Sequence, residues 1–162
     1  MNTDQIVKQI QVRATRERVW NALVDSKQFG HWFGVTLDGP FVAGQAVTGK
    51  ISGSKTNADV AKMQMEHAGK PFEIWIERIE PQSLFSFRWH PHAVDTSVDY
   101  SKEPTTLVSF ELVEKDDGIL VTVTESGFDQ IPLARRAEAF AGNEGGWSVM
   151  VKVLGEYAGH GS

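Results

Sequence analysis

Two glutamates carry the strongest case for chemistry. In the stretch Ile119, Val121, Val123, Glu125, side chains two apart share one face of a strand, and the first three are plainly core residues. Glu125 is therefore expected to point inward, at the end of any cavity behind that face. Phe140, Glu144, Trp147 and Val151 are spaced by four, three and four, so a helix through them carries Glu144 on or beside its buried stripe. Two inward carboxylates in apolar surroundings can divide the roles of general acid and base. The structural alternative is that Glu125 caps backbone N–H groups around Ser126 and Gly127. Glu144 would then bond Arg88, Tyr100 or a helix neighbour.

Other polar groupings are weaker. His90, Pro91 and His92 with Asp95 or Asp99 have the residue types of a facial metal triad. If Phe85, Phe87 and Trp89 face inward, however, His90 faces outward and Pro91 carries His92 into a loop, so no metal is expected. The run from Gly44 to Gly49 and Lys50 approximates a P-loop, but Ile51 stands where Ser or Thr must hold Mg²⁺. That run also leads into a strand rather than a helix, and no cofactor is expected. Ser126 lacks the preceding glycine of a nucleophile elbow. The absence of cysteine excludes disulfides, a thiolate nucleophile and Cys-ligated zinc.

The aromatic residues suggest binding rather than catalysis. The candidate ligand-binding set is Trp32, Phe33, Phe87, Trp89, Phe110, Phe128, Phe140 and Trp147, with Val151, Glu125 and Glu144. Most rings in a small domain are ordinary core. Those expected nearest an open end are Trp32, Phe33, Trp89, Phe128 and Trp147. Met63 and Met65 lie in a possible lid, where flexible thioethers suit a variable apolar guest.

The elements that must position these groups follow from periodicity and punctuation. Ile6, Ile10 and Val12 mark a strand with one buried face. Thr15 caps a helix with a Val19, Trp20, Leu23, Val24 stripe, and Asp25 caps a second short helix ending near Gly30. Residues 46–51, 72–79, 84–90, 105–114 and 119–125 read as strands. Residues 58–67 read as either a short helix or a ragged strand, and residues 93–103 as a loop. Asp117 and Gly118 are expected to make the tight turn of the last hairpin. Pro132 opens a long C-terminal helix carrying Ala137, Phe140, Trp147, Val151 and Leu154. Gly142, Gly145 and Gly146 weaken the middle of that helix, which suggests close packing or a kink there. One curved antiparallel sheet wrapped against one long helix is the economical α+β solution, and space left between them forms a cavity.

Bulk properties narrow the classes further. The 162 residues suit a single domain, 1–162, and 41% apolar residues are too many for a disordered chain. Sixteen basic against 21 acidic residues give a net charge of −5, with the basic ones scattered, so neither nucleic acid nor an anionic membrane is an expected partner. No apolar run approaches the roughly 18 residues that span a bilayer. The start has no signal pattern, and a cytoplasmic location is expected.

In order along the chain stand Ala14 to Trp20, Phe29 to Phe33, Ile79 to Pro81, Ser86 to Pro91, Asp99 to Ser101 and Glu103 to Leu107. Glu125 to Phe128 and Asn143 to Trp147 follow. Together these resemble the START-like superfamily, also called SRPBCC or Bet v-like, in its bacterial branch related to the activator of the Hsp-ninety ATPase (Aha-type). The resemblance implies a helix-grip fold with a ligand cavity. Family members include carriers, cyclases, hydrolases and hormone receptors, so the fold does not fix the activity. The expected function is binding of a small hydrophobic or aromatic molecule between sheet and C-terminal helix. The alternatives are a cavity enzyme of cyclase or hydrolase type using Glu125 and Glu144, and a co-chaperone-like interaction protein with a chaperone partner. The chain is expected to act as a monomer or homodimer.

Overall fold

A computed structural model describes residues 4–91 and 99–159. Seven strands form one antiparallel sheet: β1 (Gln5–Val12), β2 (Val35–Leu37), β3 (Ala46–Ile51), β4 (Pro71–Glu80), β5 (Leu84–Trp89), β6 (Thr106–Lys115) and β7 (Gly118–Ser126). Their order across the sheet is β1-β7-β6-β5-β4-β3-β2. The strands β2 to β7 thus form an unbroken meander, and β1 closes it beside β7 in full register from Gln5 opposite Ser126 to Val12 opposite Ile119. Helices α1 (Arg16–Val24) and α2 (Ser26–Phe33) carry the chain from one sheet edge to the other. Between β3 and β4 lies α3 (Ala58–Gln64), and α4 (Leu133–Gly159) follows the sheet as a 27-residue helix. This is the curved α+β helix-grip architecture expected from the sequence.

Alternation places the core on one sheet face. Val121, Val123 and Glu125 on β7 are buried, as are Thr106, Val108, Phe110 and Leu112 on β6. On β4 the inward set is Ile74 and Ile76, then the half-buried Ile79, an odd step for period two. A β-bulge between Ile76 and Arg78 supplies the extra residue and keeps both halves facing the core.

The helix ends follow capping chemistry. Thr15 accepts from the backbone N–H of Arg18, and Asp25 ends α1 while accepting from the N–H groups of Lys27 and Gln28 to open α2. That second helix runs past Gly30 and stops where Gly34 takes the left-handed conformation at φ 99°. The region left open between helix and ragged strand is α3 followed by a single 3-10 turn, Met65–His67. Met63 and Met65 are both 61% exposed.

The last hairpin corrects a detail of the turn. Asp116 and Asp117 both have positive φ, 49° and 63°, so they are the two central residues. Gly118 begins β7 instead, and a Cβ there would collide with the carbonyl oxygen of Val12.

The grip on α4 is strongest at its C-terminal half. Trp147, Met150, Val151, Val153, Leu154 and Ala158 are buried. Arg18 donates to the carbonyls of Ala158 (2.7 Å) and Tyr157 (2.8 Å), satisfying helix-end acceptors with a cation. Asn57 donates to Glu156 at 2.8 Å, and Tyr157 donates to Gln28 at 3.1 Å. The N-terminal half buries little beyond Ala139. Ala137, expected on the stripe, is exposed. Gly145 and Gly146 face open space where a Cβ would meet nothing within 4 Å. Among the described residues they are therefore not sites of close packing, and α4 passes through them as a continuous helix.

Candidate functional site

Glu125 is wholly buried and its two oxygens accept from four side chains. Oε2 accepts from Trp89 Nε1 at 2.7 Å and Thr106 Oγ1 at 2.6 Å. Oε1 accepts from Trp147 Nε1 at 2.8 Å. The Asn143 amide nitrogen sits between them, 3.0 Å from Oε1 and 3.1 Å from Oε2. An ionised carboxylate offers about four lone-pair sites and donates nothing, and here protein donors fill them. Among the described residues no cation forms an ion pair with Glu125. Dipolar donors from β5, β6 and α4 compensate its burial.

Each donor is placed by simple periodicity. Trp89 and Thr106 are a directly opposed pair at the end of the β5–β6 ladder. Glu125 lies opposite Val108 on the next strand over. Asn143 and Trp147 are four apart on α4, hence on one helix face. The carboxylate therefore ties the sheet to the helix, and it holds two indole rings by their N–H groups.

Those rings form one wall of a cleft of about 180 Å³, lined by Phe33, Trp89, Asn143, Gly146, Trp147 and Met150. The Trp89 and Trp147 rings stack with centroids 5.8 Å apart at 29°. Phe33 closes on both, 6.1 Å from Trp89 and 6.0 Å from Trp147. Behind them the space is filled with rings: Phe87 lies 5.3 Å from Trp89, and Phe110 lies 5.7 Å from Trp147.

The sequence-predicted residues fall into distinct places. Phe33, Trp89 and Trp147 line the cleft, with Glu125 directly behind it. Phe87 and Phe110 are fully buried and form its floor. Trp32 is fully buried away from the opening, its N–H donating to the Ala22 carbonyl at 2.8 Å. Phe128 and Phe140 pair edge-on with each other at 5.2 Å, outside the cleft lining. Val151 is buried against the core. Glu144 is a correction: it is exposed, because the face of α4 toward the sheet is set by Asn143 and Trp147, and the next residue along turns about 100° away. Glu125 and Glu144 therefore do not share a cavity, and Glu125 does not cap the Ser126–Gly127 backbone. Asn143, Thr106, Gly146 and Met150 were not among the site residues expected from the sequence, although the first three stand in the motifs that carry the resemblance. The four-residue spacing of Asn143 and Trp147 was the signal available for the first.

The remaining candidates lie elsewhere. His90 is half-buried with its ring edge-on to Trp75 at 5.5 Å. Burial lowers its pKa from the ordinary 6.5; Glu103 opposes this and Arg135 adds to it, with lesser opposition from the Pro104 carbonyl and Glu73. His92 and Asp95 lie outside the described residues. Asp99 bonds Ser101 instead, which together with the Ser101 N–H lowers its carboxyl pKa. Among the described residues no cluster of three metal-ligating side chains occurs. No helix of the described residues is long and apolar enough to cross a membrane.

A family model described as Activator of Hsp90 ATPase homolog 1-like protein matches residues 13–159. Similar solved structures include protein MLL2253 from Mesorhizobium loti, with TM-score 0.70, 18% identity and 98% of each chain covered. The Aha1 dimer from Colwellia psychrerythraea gives TM-score 0.64, 18% identity and the same coverage of both chains. DynU16, a putative protein in the dynemicin biosynthetic locus, gives TM-score 0.67 and 21% identity over 98% of this chain. This chain spans about half of DynU16, 48% of its length. These likenesses show the fold. No curated protein sequence matches the chain.

Proposed function

The chain belongs to the Activator of Hsp90 ATPase homolog 1-like family, and on that premise we propose that it binds a small apolar or aromatic molecule in the cleft between Phe33, Trp89, Trp147 and Met150. The observation that carries this reading is the carboxylate of Glu125, which fixes two stacked indoles at the mouth of an otherwise filled core. Ordering those rings before a ligand arrives removes part of the cost of binding. A cavity of about 150 Å³ lined by apolar side chains is enough to take benzene, so the 180 Å³ here suits one ring rather than a large polycyclic guest.

The same geometry turns the reading away from acid–base catalysis. Glu125 has its lone pairs engaged by protein donors, and Glu144 stands outside on the helix surface. Glu125 serves as a positioning group.

Gly146 supplies the test. A Cβ there meets nothing within 4 Å among the described residues outside its own helix, and Gly146 lines the cleft, so Gly146→Leu is expected to fill it. Toluene is expected to change indole fluorescence saturably in the wild type and not in Gly146→Leu. Equal responses from both proteins would contradict the assignment of the cleft.

A further inference from the structure

Glu125 brings a negative charge to the cleft that no lysine or arginine neutralises. Its oxygens only accept, from Trp89, Thr106, Asn143 and Trp147, which is the pattern of the charged carboxylate. Every lysine and arginine of the chain lies among the described residues, and none forms an ion pair with it. Three of its four partners, Trp89, Asn143 and Trp147, line the cleft, so the charge stands one side chain behind the wall. The rest of the lining, Phe33, Gly146 and Met150, carries no charge. The Asn143 amide is neutral, and wherever its second N–H points it adds no net charge. Donors reduce the field of a carboxylate but leave its charge in place, and the ring-filled surroundings screen it far less than water does.

The rings add to this field. The centroids of Trp89, Trp147 and Phe33 form a nearly equilateral triangle with sides of 5.8, 6.0 and 6.1 Å. Aromatic rings attract a cation seated over them within about 6 Å of the centroid, and Trp does so best. Each indole also donates to the carboxylate, which polarises its ring toward higher electron density.

We infer that the cleft takes a single-ring organic cation, held by the charge of Glu125 acting through the two indoles. This deepens the function proposed above and rests on it. A delocalised or alkylated charge suits the site, because an ammonium N–H stripped of water needs an acceptor, and Phe33, Gly146 and Met150 offer none stronger than a thioether. A ring carrying a carboxylate meets the repulsion of Glu125 and is excluded.

The test compares N-methylpyridinium, toluene and benzoate on wild-type protein and Glu125→Gln, by amide-shift titration at constant ionic strength. N-methylpyridinium has the shape of toluene and differs in charge, so the ratio of their dissociation constants cancels what the substitution does to the cleft in general. A guest touching the indoles stands about 7 Å from the carboxylate, where a unit charge pair at an effective dielectric constant of about 20 is worth more than tenfold in binding. The expected result is that N-methylpyridinium saturates at the cleft of the wild type, and that its affinity relative to toluene falls at least about tenfold in Glu125→Gln. An unchanged ratio, saturation by toluene alone, or benzoate binding as tightly as N-methylpyridinium overturns the inference and leaves the cleft as a binding site. Failure of both toluene and N-methylpyridinium to saturate overturns the site as well. Should Glu125→Gln not fold, the wild type still decides: N-methylpyridinium is expected to bind at least about tenfold more tightly than benzoate, and equal affinities refute the inference.

Discussion

Glu125 is the residue on which sheet, helix and cleft all depend, so its replacement is informative. Glu125→Gln keeps the shape and turns an amide N–H₂ toward donors from Trp89, Thr106, Asn143 or Trp147. A buried donor then faces a donor, and a stability loss of about 2–4 kcal/mol is expected from urea unfolding. A loss below about 0.5 kcal/mol, the level of an ordinary surface change, would contradict the network. His90 gives a second expectation at this scale. Its folded pKa is lowered, chiefly by burial, so above the ordinary 6.5 it is neutral in both folded and unfolded chains. As pH falls through 6.5 the unfolded chain takes up the proton first, and stability declines until the folded imidazole titrates too. His90→Gln is expected to remove that part of the decline, measured as the difference in urea midpoint between pH 7.5 and pH 5.5. An identical pH dependence in both proteins would refute the role assigned to His90 burial. Residue types alone reached Glu125, because period two on β7 is unambiguous. They did not reach Glu144 correctly, because rings at four- and three-residue spacing define a broad stripe, whereas the face toward the sheet is decided by which side chain can donate to Glu125.

At the scale of elements, α4 joins two regimes. From Trp147 onward it is clamped by core packing and by Arg18 at its C-terminal carbonyls. Ahead of Trp147 it carries glycines that face open space. Gly145→Ala is therefore expected to stabilise the fold by about 0.5–1 kcal/mol, the helix-propensity difference with no steric cost. The opposite sign is expected for Gly118→Ala, whose Cβ would strike the Val12 carbonyl across the β1–β7 pair. Urea midpoints for the two variants check both signs. A destabilising Gly145→Ala would mean that something packs against α4 there. Strands β1 and β3 to β7, the two caps at Thr15 and Asp25 and the long helix were legible in the sequence because hydrophobic period and capping chemistry agree there, whereas the three-residue β2 was not read as a strand. The β4 bulge, the exact tight turn and α3 were not legible either. A bulge changes parity without a special residue type, the run Lys115 to Gly118 allows more than one two-residue turn, and residues 58–67 have no sustained apolar period.

For the whole molecule, the question of whether the space between sheet and α4 is open or filled has a mixed answer among the described residues. Aromatic rings from α2, β5 and β6 occupy the middle, and a cleft of about 180 Å³ lies against α4. The central claim is that this cleft, with its indoles held by Glu125, is a working binding site for one ring. The measurement that tests it most directly is an amide-shift titration of labelled protein with toluene, on the wild type and on Gly146→Leu. The account expects saturable shifts centred on Phe33, Trp89, Asn143, Gly146, Trp147 and Met150 in the wild type, and their loss in the folded variant. No saturable shifts in the wild type, or the same shifts in both proteins, would contradict it.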